Sequence, residues 1–375
     1  MKPAFQTKVS RRALLRSAVL GAGAIALAAC GDDEEPAAPA AIAPASPTDA
    51  VATATPQVRG PRWTRLEPQG VRPLARRDHS LIFDSDRGVL YVFGGRAAGT
   101  TLGDLWSYDL TTSQWMEIAP SGERPDARFG HNALYDAERR RLVVALGQAS
   151  SSDFFNDTWA FDPAASTWSR IGEEGSERPA VRYGSAGAGD RSGGRLLISH
   201  GFTNQGRFDD TWSLDMAGGA WRRTATSGAL PVERCLTRGF WDRAGGRFFM
   251  FAGQTDAEPF LGDFWSLDEA AGGWTQLTPA ALPSPRNLYG AAFDEAARRW
   301  YVVGGATADG PVADVWVYDV AAGAWSQVIG FETKDEPPAR RALDLAFGEG
   351  TVYLFGGNGA DGDLDDLWQL DPGSV

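Results

Sequence analysis

The sequence predicts an all-β head built from one four-stranded unit written six times. Its 375 residues include 45 glycines and 14 tryptophans, a combination that favours many short strands joined by tight turns over long helices. A hexapeptide of the form Asp-x-Trp-x-x-Asp recurs six times, as DLWSYD from Asp104, DTWAFD from Asp157, DTWSLD from Asp210, DFWSLD from Asp263, DVWVYD from Asp314 and DLWQLD from Asp366. Its tryptophans, Trp106, Trp159, Trp212, Trp265, Trp316 and Trp368, stand 51 to 53 residues apart, the period of a repeated supersecondary unit. Apolar runs that close on glycine precede the motif: LYVFGG ending at Gly95, LVVALG at Gly147, WYVVGG at Gly305 and VYLFGG at Gly357. Runs of that length between glycines and turn residues read as strands buried on both faces.

In chain order, the first element is an address. Residues 1–29 are expected to be a removable export signal: Ser10 to Arg16 is charged and contains the adjacent Arg11 and Arg12, and Ala18 to Ala29 is a 12-residue apolar run, too short to cross a bilayer. The run ends Leu27-Ala28-Ala29-Cys30-Gly31. These residues resemble a bacterial twin-arginine signal closed by a lipobox, which implies cleavage before Cys30 and lipid on its sulfur. Residues 30–60 are alanine, proline, threonine and acid without periodicity; they cannot bury apolar surface and read as a disordered tether. Residues 61–375 are then the folded head. The expected location is exported and lipid-anchored, on the outer side of the bacterial cytoplasmic membrane or on the outer membrane, with the lipid as the only membrane contact. Loss of the signal, which carries Lys2, Lys8, Arg11, Arg12 and Arg16 and no acid, takes the formal charge from -12 to -17, so nucleic acid is not an expected partner. With Cys30 lipidated, Cys235 has no partner for an intrachain disulfide, and stability must come from packing.

Within each unit the first strand follows an arginine, as in RFGHNALYD from Arg128 to Asp136. The second ends at glycine, the third carries Asp-x-Trp, and the fourth carries a second tryptophan nine residues after the first: Trp115, Trp168, Trp221, Trp274 and Trp325. Trp368 has no such successor, whereas Trp63 stands 13 residues before Arg76, as Trp115 does before Arg128, with no unit of its own. The Trp63 segment is therefore expected to pair with the strand of Trp368 and complete the sixth unit from both ends of the chain. Such closure removes the exposed edges an open array would leave.

The double glycine and the spaced aromatic pair resemble the kelch repeat, from Trp63 onward. The resemblance implies a six-bladed β-propeller, four antiparallel strands per blade, around a central channel. Only Gly94-Gly95, Gly304-Gly305 and Gly356-Gly357 are complete doublets. Gly147-Gln148, Gly201-Phe202 and Gly253-Gln254 depart from the pattern, and those three loops are expected to follow a different backbone path.

Residues that recur in every unit are assigned to the repeat itself. The twelve tryptophans named above, Trp63 included, are expected to fill the space between neighbouring sheets, each burying about 200 Å². Arg76, Arg128, Arg182, Arg234, Arg286 and Arg340 would suit a ring of guanidinium groups around the channel mouth, ready for a carboxylate or phosphate. An asymmetric ligand does not need six equal contacts, so the reading adopted is that each pairs with an acid or carbonyl of its own or the next blade. The aspartate of Asp-x-Trp is read likewise, and the apolar anchors Leu102, Phe155, Phe208, Leu261, Val312 and Leu364 are assigned to packing. Trp241 and Trp300 lie off the pattern and are read as edge packing, with an exposed stacking surface as the alternative.

Function is sought where the units differ. Between glycine and anchor each unit has a variable loop, and in kelch proteins this loop opens on the face where partners dock. The resemblance thus makes Arg96, Gln148, Phe202, Asn204, Arg207, Gln254, Asp256 and Asn358 the candidate ligand-face residues. His79 and His131 occupy equivalent places, but a zinc site wants more ligands and neither HxxxH nor CxxC occurs; both are read as structural or solvated. His200 stands where the other units are read to have Phe93, Leu146, Ala252, Val303 and Phe355, and needs a hydrogen bond there. Asn358 to Asp366 is dense in oxygen but lacks calcium-loop spacing. No catalytic residue, metal or cofactor is assigned. The sequence reads as a monomeric, non-catalytic head that binds an envelope protein or a glycan. The alternative is a kelch-type carbohydrate-active enzyme, similar to sialic acid mutarotases or, less so, to galactose oxidases, whose cysteine-linked copper site would rest on Cys235 alone.

Overall fold

The computed structural model describes residues 60–172, 177–190, 194–330 and 335–373. The expected export signal with Arg11 and Arg12, the expected lipidation residue Cys30 and nearly all of the expected tether lie outside them. Among the described residues every regular element is a strand.

Six four-stranded antiparallel sheets form the blades. Blade 1 runs through Ser80–Asp84, Val89–Ala97, Thr100–Asp109 and Gln114–Ile118, and blade 2 through Asn132–Asp136, Arg141–Ala145, Thr158–Asp162 and Thr167–Arg170. Blades 3, 4 and 5 begin at Ala186–Asp190, Arg238–Asp242 and Gly290–Asp294 and end at Trp221–Thr224, Gly273–Leu277 and Ala324–Ile329. Blade 6 takes Asp344–Gly348, Thr351–Phe355 and Leu367–Asp371 from the end of the chain and Arg62–Leu66 from the start. The six first strands touch one another in sequence around the axis, and that of blade 6 touches that of blade 1. The ring is closed, with the register Trp63 opposite Leu370 and Arg65 opposite Trp368.

Packing between blades rests on the repeated aromatics. Eleven of the twelve pattern tryptophans are at most 7% exposed; Trp316 is half-buried. Each blade interface is a separate apolar cluster, such as Leu81 and Phe83 of blade 1 with Tyr353, Phe355 and Leu367 of blade 6. Trp241 and Trp300 are buried as well, so neither offers an exposed stacking surface.

At the glycine pair itself the three incomplete doublets do not depart from the complete ones. Gly147, Gly201 and Gly253 (φ 106°, 116° and 106°) match Gly95, Gly305 and Gly357 (98°, 108° and 101°), the second glycines of the complete doublets. The missing glycine is the first, and Leu146, His200 and Ala252 adopt its left-handed conformation, with φ of 64°, 63° and 58° against 63° at Gly94. A side chain in that region costs roughly 1 kcal/mol, which the surrounding sheet absorbs. The second position is stricter, because a Cβ on Gly95 would lie 2.8 Å from the Arg77 carbonyl oxygen and 2.7 Å from the His79 Cβ. All six glycine pairs therefore share one backbone conformation, and the paths separate beyond them: blades 3, 5 and 6 close their loops with two-residue ladders such as Phe202 with Arg207 and Thr203 with Gly206, whereas blade 2 pairs Gln148 with Phe154 in an isolated bridge. The same finding moves His200 by one residue: its amide donates to Asp210 as those of Leu146, Gly304 and Gly356 do to Asp157, Asp314 and Asp366. Its counterparts are Gly94, Leu146, Ala252, Gly304 and Gly356, whereas Phe93, Val303 and Phe355 correspond to Ser199.

Candidate functional site

The six recurring arginines form the frame of the loop face. Each is at most 1% exposed and grips the Asp-x-Trp aspartate of its own blade with both amino groups, at 2.5 to 3.1 Å. Its Nη1 also donates to the carbonyl of the first loop residue, and its Nε to the carbonyl two residues earlier. The aspartate accepts the indole N–H of the tryptophan two residues on, at 2.6 to 2.8 Å. Burial pushes the carboxyls of Asp104, Asp157, Asp210, Asp263 and Asp366 up, yet the forked bond and the indole hold them below the usual range. At least four of the five N–H groups of each guanidinium are thus engaged inside its own blade, and the group is buried away from any ligand.

The backbone of the same segment binds the next blade. The N–H of Gly95 donates to the Arg128 carbonyl, and the bond repeats at Gly147, Gly201, Gly253, Gly305 and Gly357, which donates to Arg76 across the closure, at 2.8 to 3.0 Å. Closer to the axis, Asp78, Gly130, Gly184, Leu236, Leu288 and Ala342 all have φ between 53° and 63°. Each donates its N–H to the carbonyl of the equivalent residue in the preceding blade, a closed circle of six hydrogen bonds of 2.6 to 3.4 Å.

Above this frame, the residue after each arginine pairs in an isolated bridge with the residue after each second glycine. The pairs are Arg77 with Arg96, Phe129 with Gln148, Tyr183 with Phe202, Cys235 with Gln254, Asn287 with Ala306, and Arg341 with Asn358. One face thus carries six pairs of different chemistry. Blades 2 and 3 make an aromatic sector: Tyr183 lies 5.8 Å from Phe129, 6.1 Å from Phe154 and 5.7 Å from Phe202, centroid to centroid. A guanidinium flanks it on each side, Arg96 over Phe129 at 4.7 Å and Arg207 over Phe202 at 5.3 Å. Blades 6 and 1 make a charged sector, where Arg77 bonds Asp363 at 2.5 Å and Asn358 bonds the same carboxylate at 2.9 Å.

The candidate ligand-face residues fall into these sectors unevenly. Phe202, Arg207 and Asp256 come together across blades 3 and 4, where Arg207, 7% exposed, is paired with Asp256, 82% exposed. Arg96 joins the aromatic sector, and Asn358 the charged one. Gln148 is buried and turns its amide into its own loop, onto the Ser150 carbonyl; Gln254 accepts from Asn287; Asn204 is exposed at a hairpin turn. Phe129, Tyr183, Arg77 and Arg341 were not among the candidates, although their variation immediately after an invariant arginine was a visible signal. Three of the four acids of the segment Asn358 to Asp366 form ion pairs, Asp363 with Arg77, Asp365 with Arg72 and Asp366 with Arg340, and Asp361 is exposed. Among the described residues no three His, Cys, Asp or Glu side chains are grouped to hold a metal ion.

The histidines are buried and uncharged at neutral pH. Burial, then the charge of Arg76, pushes His79 down to about 3; burial and Arg234 push His200 down to about 3; His131 lies well below its ordinary value for the same reasons, burial and Arg128. His131 Nε2 meets Ser80 Oγ at 3.0 Å, and His200 Nδ1 meets Ser199 Oγ at 2.7 Å. Burial raises the Cys235 thiol above its usual range.

Comparison with known proteins gives a family and a set of relatives. The KLHDC2/KLHL20/DRC7 Kelch-repeats domain matches residues 53–241 and 219–375. The chain is 28% identical over 283 residues to leucine-zipper-like transcriptional regulator 1 of Homo sapiens and of Pongo abelii, and 27% identical to that of Mus musculus. In each case 71% of this chain aligns with 32% of the relative, so the chain spans about a third of the length of these curated relatives.

Proposed function

Because this chain belongs to the kelch-repeat family, we propose that its propeller is a non-catalytic binding module that takes a protein partner on the loop face, tethered to a bacterial envelope through lipid on Cys30. The observation that carries the reading is the aromatic sector: Phe154, Tyr183 and Phe202 are half-buried rather than buried and, with Phe129, gather four rings at the junction of blades 2 and 3, where the equivalent bridge pairs of the other four blades carry no aromatic side chain. Half-exposed aromatics beside arginines are the composition of binding hot spots. The anchoring half rests on Arg11, Arg12, the apolar run and Cys30.

Two experiments test the two halves. A photo-crosslinking side chain placed at Phe202 in native membranes captures a partner, and replacing the Phe154 and Phe202 loops by those of blade 5 abolishes the capture; undiminished capture by the loop-replaced protein overturns the assigned face. Cys30→Ala releases the protein from membranes and blocks acyl labelling, and a variant that stays membrane-bound overturns the anchor. A glycan is the second reading, favoured by the same rings, since sugars stack on exposed aromatic faces. A glycan panel that leaves the emission of Tyr183 and its neighbours unchanged removes it.

A further inference from the structure

The axis of the propeller holds an ion pair that the repeat does not require. The first residues of the six innermost strands are Ser80, Asn132, Ala186, Arg238, Gly290 and Asp344, and only two are charged. Arg238 of blade 4 reaches beyond blade 5 to Asp344 of blade 6, Nη2 to Oδ1 at 3.4 Å. The other Asp344 oxygen accepts the Leu81 N–H at 3.0 Å. Arg238 Nε touches the Tyr289 carbonyl at 3.5 Å, and Nη1 has no hydrogen-bond partner among the described residues. The Arg238 side chain is 29% exposed although it stands on an innermost strand.

The exposure is to a chamber. Cavities of about 100 Å³ and 150 Å³ adjoin along the axis and share walls at Leu81, Leu134, Gly187, Gly239, Ala291 and Leu345. The small residues of blades 3 to 5 make the room. The upper cavity contains Arg238 and Asp344, and the lower one is walled by Phe240, Phe293 and Phe347. None of the six residues of the axial hydrogen-bond circle lines either cavity. The lower cavity instead reaches Glu295, exposed in the first hairpin turn of blade 5 on the face opposite the loops.

We infer that this chamber binds a small aromatic monocarboxylic acid of about the size of benzoate, entering from the face opposite the loops, with its carboxylate on Arg238 and its ring against the phenylalanines. Size supports the assignment, since a cavity of about 150 Å³ has the volume that accepts a benzene ring, and the adjoining cavity houses the head group. Chemistry supports it as well, because a guanidinium with an idle amino group forms a forked bond with a carboxylate. Asp344 is held above the usual carboxylate range by burial and takes up a proton when a second carboxylate arrives. The other titratable groups facing Arg238 are Asp78, itself raised by burial, and the neutral His79 and His131. Binding therefore tightens as pH falls from neutrality.

The full-length protein is titrated with 4-fluorobenzoate and followed by fluorine NMR. Saturable binding with Kd of about 1 mM or tighter is expected, weakened roughly tenfold or more by Arg238→Gln, intermediate in Arg238→Lys, abolished by Ala291→Leu and untouched by Phe202→Ala. Equal affinity in R238Q and wild type, or equal affinity for 4-fluorobenzyl alcohol, overturns the carboxylate contact. Binding that survives Ala291→Leu overturns the chamber, and so does the absence of saturation at concentrations about tenfold above that Kd. If R238Q does not melt cooperatively, R238K and Ala291→Leu decide.

Discussion

Arg182 and Tyr183 are neighbours in sequence and serve different purposes. Arg182 turns into blade 3, is fully buried and repeats the bonds of five other arginines. Tyr183 turns onto the loop face, and its five counterparts are Arg77, Phe129, Cys235, Asn287 and Arg341. The difference shows how a repeat separates stability from recognition. The side chain that closes the blade must be the same in every copy, because the blade geometry is the same. The side chain one residue further on makes no repeated bond, so its identity is free to vary with the partner.

The comparison breaks most completely at the closure. Deleting Gly60 to Glu67 removes the Arg62–Leu66 strand and the buried Trp63 and leaves Leu367–Asp371 as an open edge. The expected result is loss of a single cooperative melt for the whole head by calorimetry; a truncated head that melts like the intact one refutes the latch. Next comes Arg182→Ala, which strands the Asp210 carboxylate and costs about 3 to 5 kcal/mol. Arg182→Met combined with Asp210→Leu recovers much of that in chemical denaturation, because the unpaired charge goes with its partner.

The third effect is acid sensitivity. The folded-state values of His79, His131 and His200 lie below the usual 6.5, so the unfolded chain binds protons first. Their contribution is present above pH 6.5 and is lost progressively toward pH 3, by up to about 1.4 kcal/mol per pH unit for each histidine. Asp78 and Asp344, raised by burial, oppose this over part of the range. Denaturant midpoints that begin to fall near pH 6 bear the expectation out, and a flat profile down to pH 4 refutes it. His79→Phe, which keeps an aromatic ring against Phe355, reduces the slope.

The smallest effect on stability is expected on the loop face. Tyr183→Ala and Phe202→Ala cost about 1 to 2 kcal/mol in thermal melts, less than Arg182→Ala, because each removes a partly buried ring and strands no charge. The same variants lose partner capture. A loop-face variant as damaging to folding as Arg182→Ala erases the distinction between the two neighbours.

Blade number, strand order and the latch were legible in the sequence because each depends on spacing alone. Trp63, 13 residues before Arg76, identifies a fourth strand wherever it stands. The arginine pairing was legible too, since six equal residues call for six equal environments. The glycine loops were misread by one residue because Leu146, His200 and Ala252 can occupy a left-handed position that glycine prefers, and only the backbone φ distinguishes the two alignments. Phe129 and Tyr183 escaped notice because they border the arginines, whose repetition drew every neighbour into the frame.

The sequence by itself determined the repeat, the closed six-bladed ring and the burial of its tryptophans, because a local pattern that buries its own apolar side chains carries its instruction in period and composition. Only the tertiary structure decided which variable residues meet. Phe154 of blade 2 joins Tyr183 and Phe202 of blade 3 in one surface, and Arg238 of blade 4 finds Asp344 of blade 6, through the register between blades. That register is a property of the closed ring, and no single unit contains it.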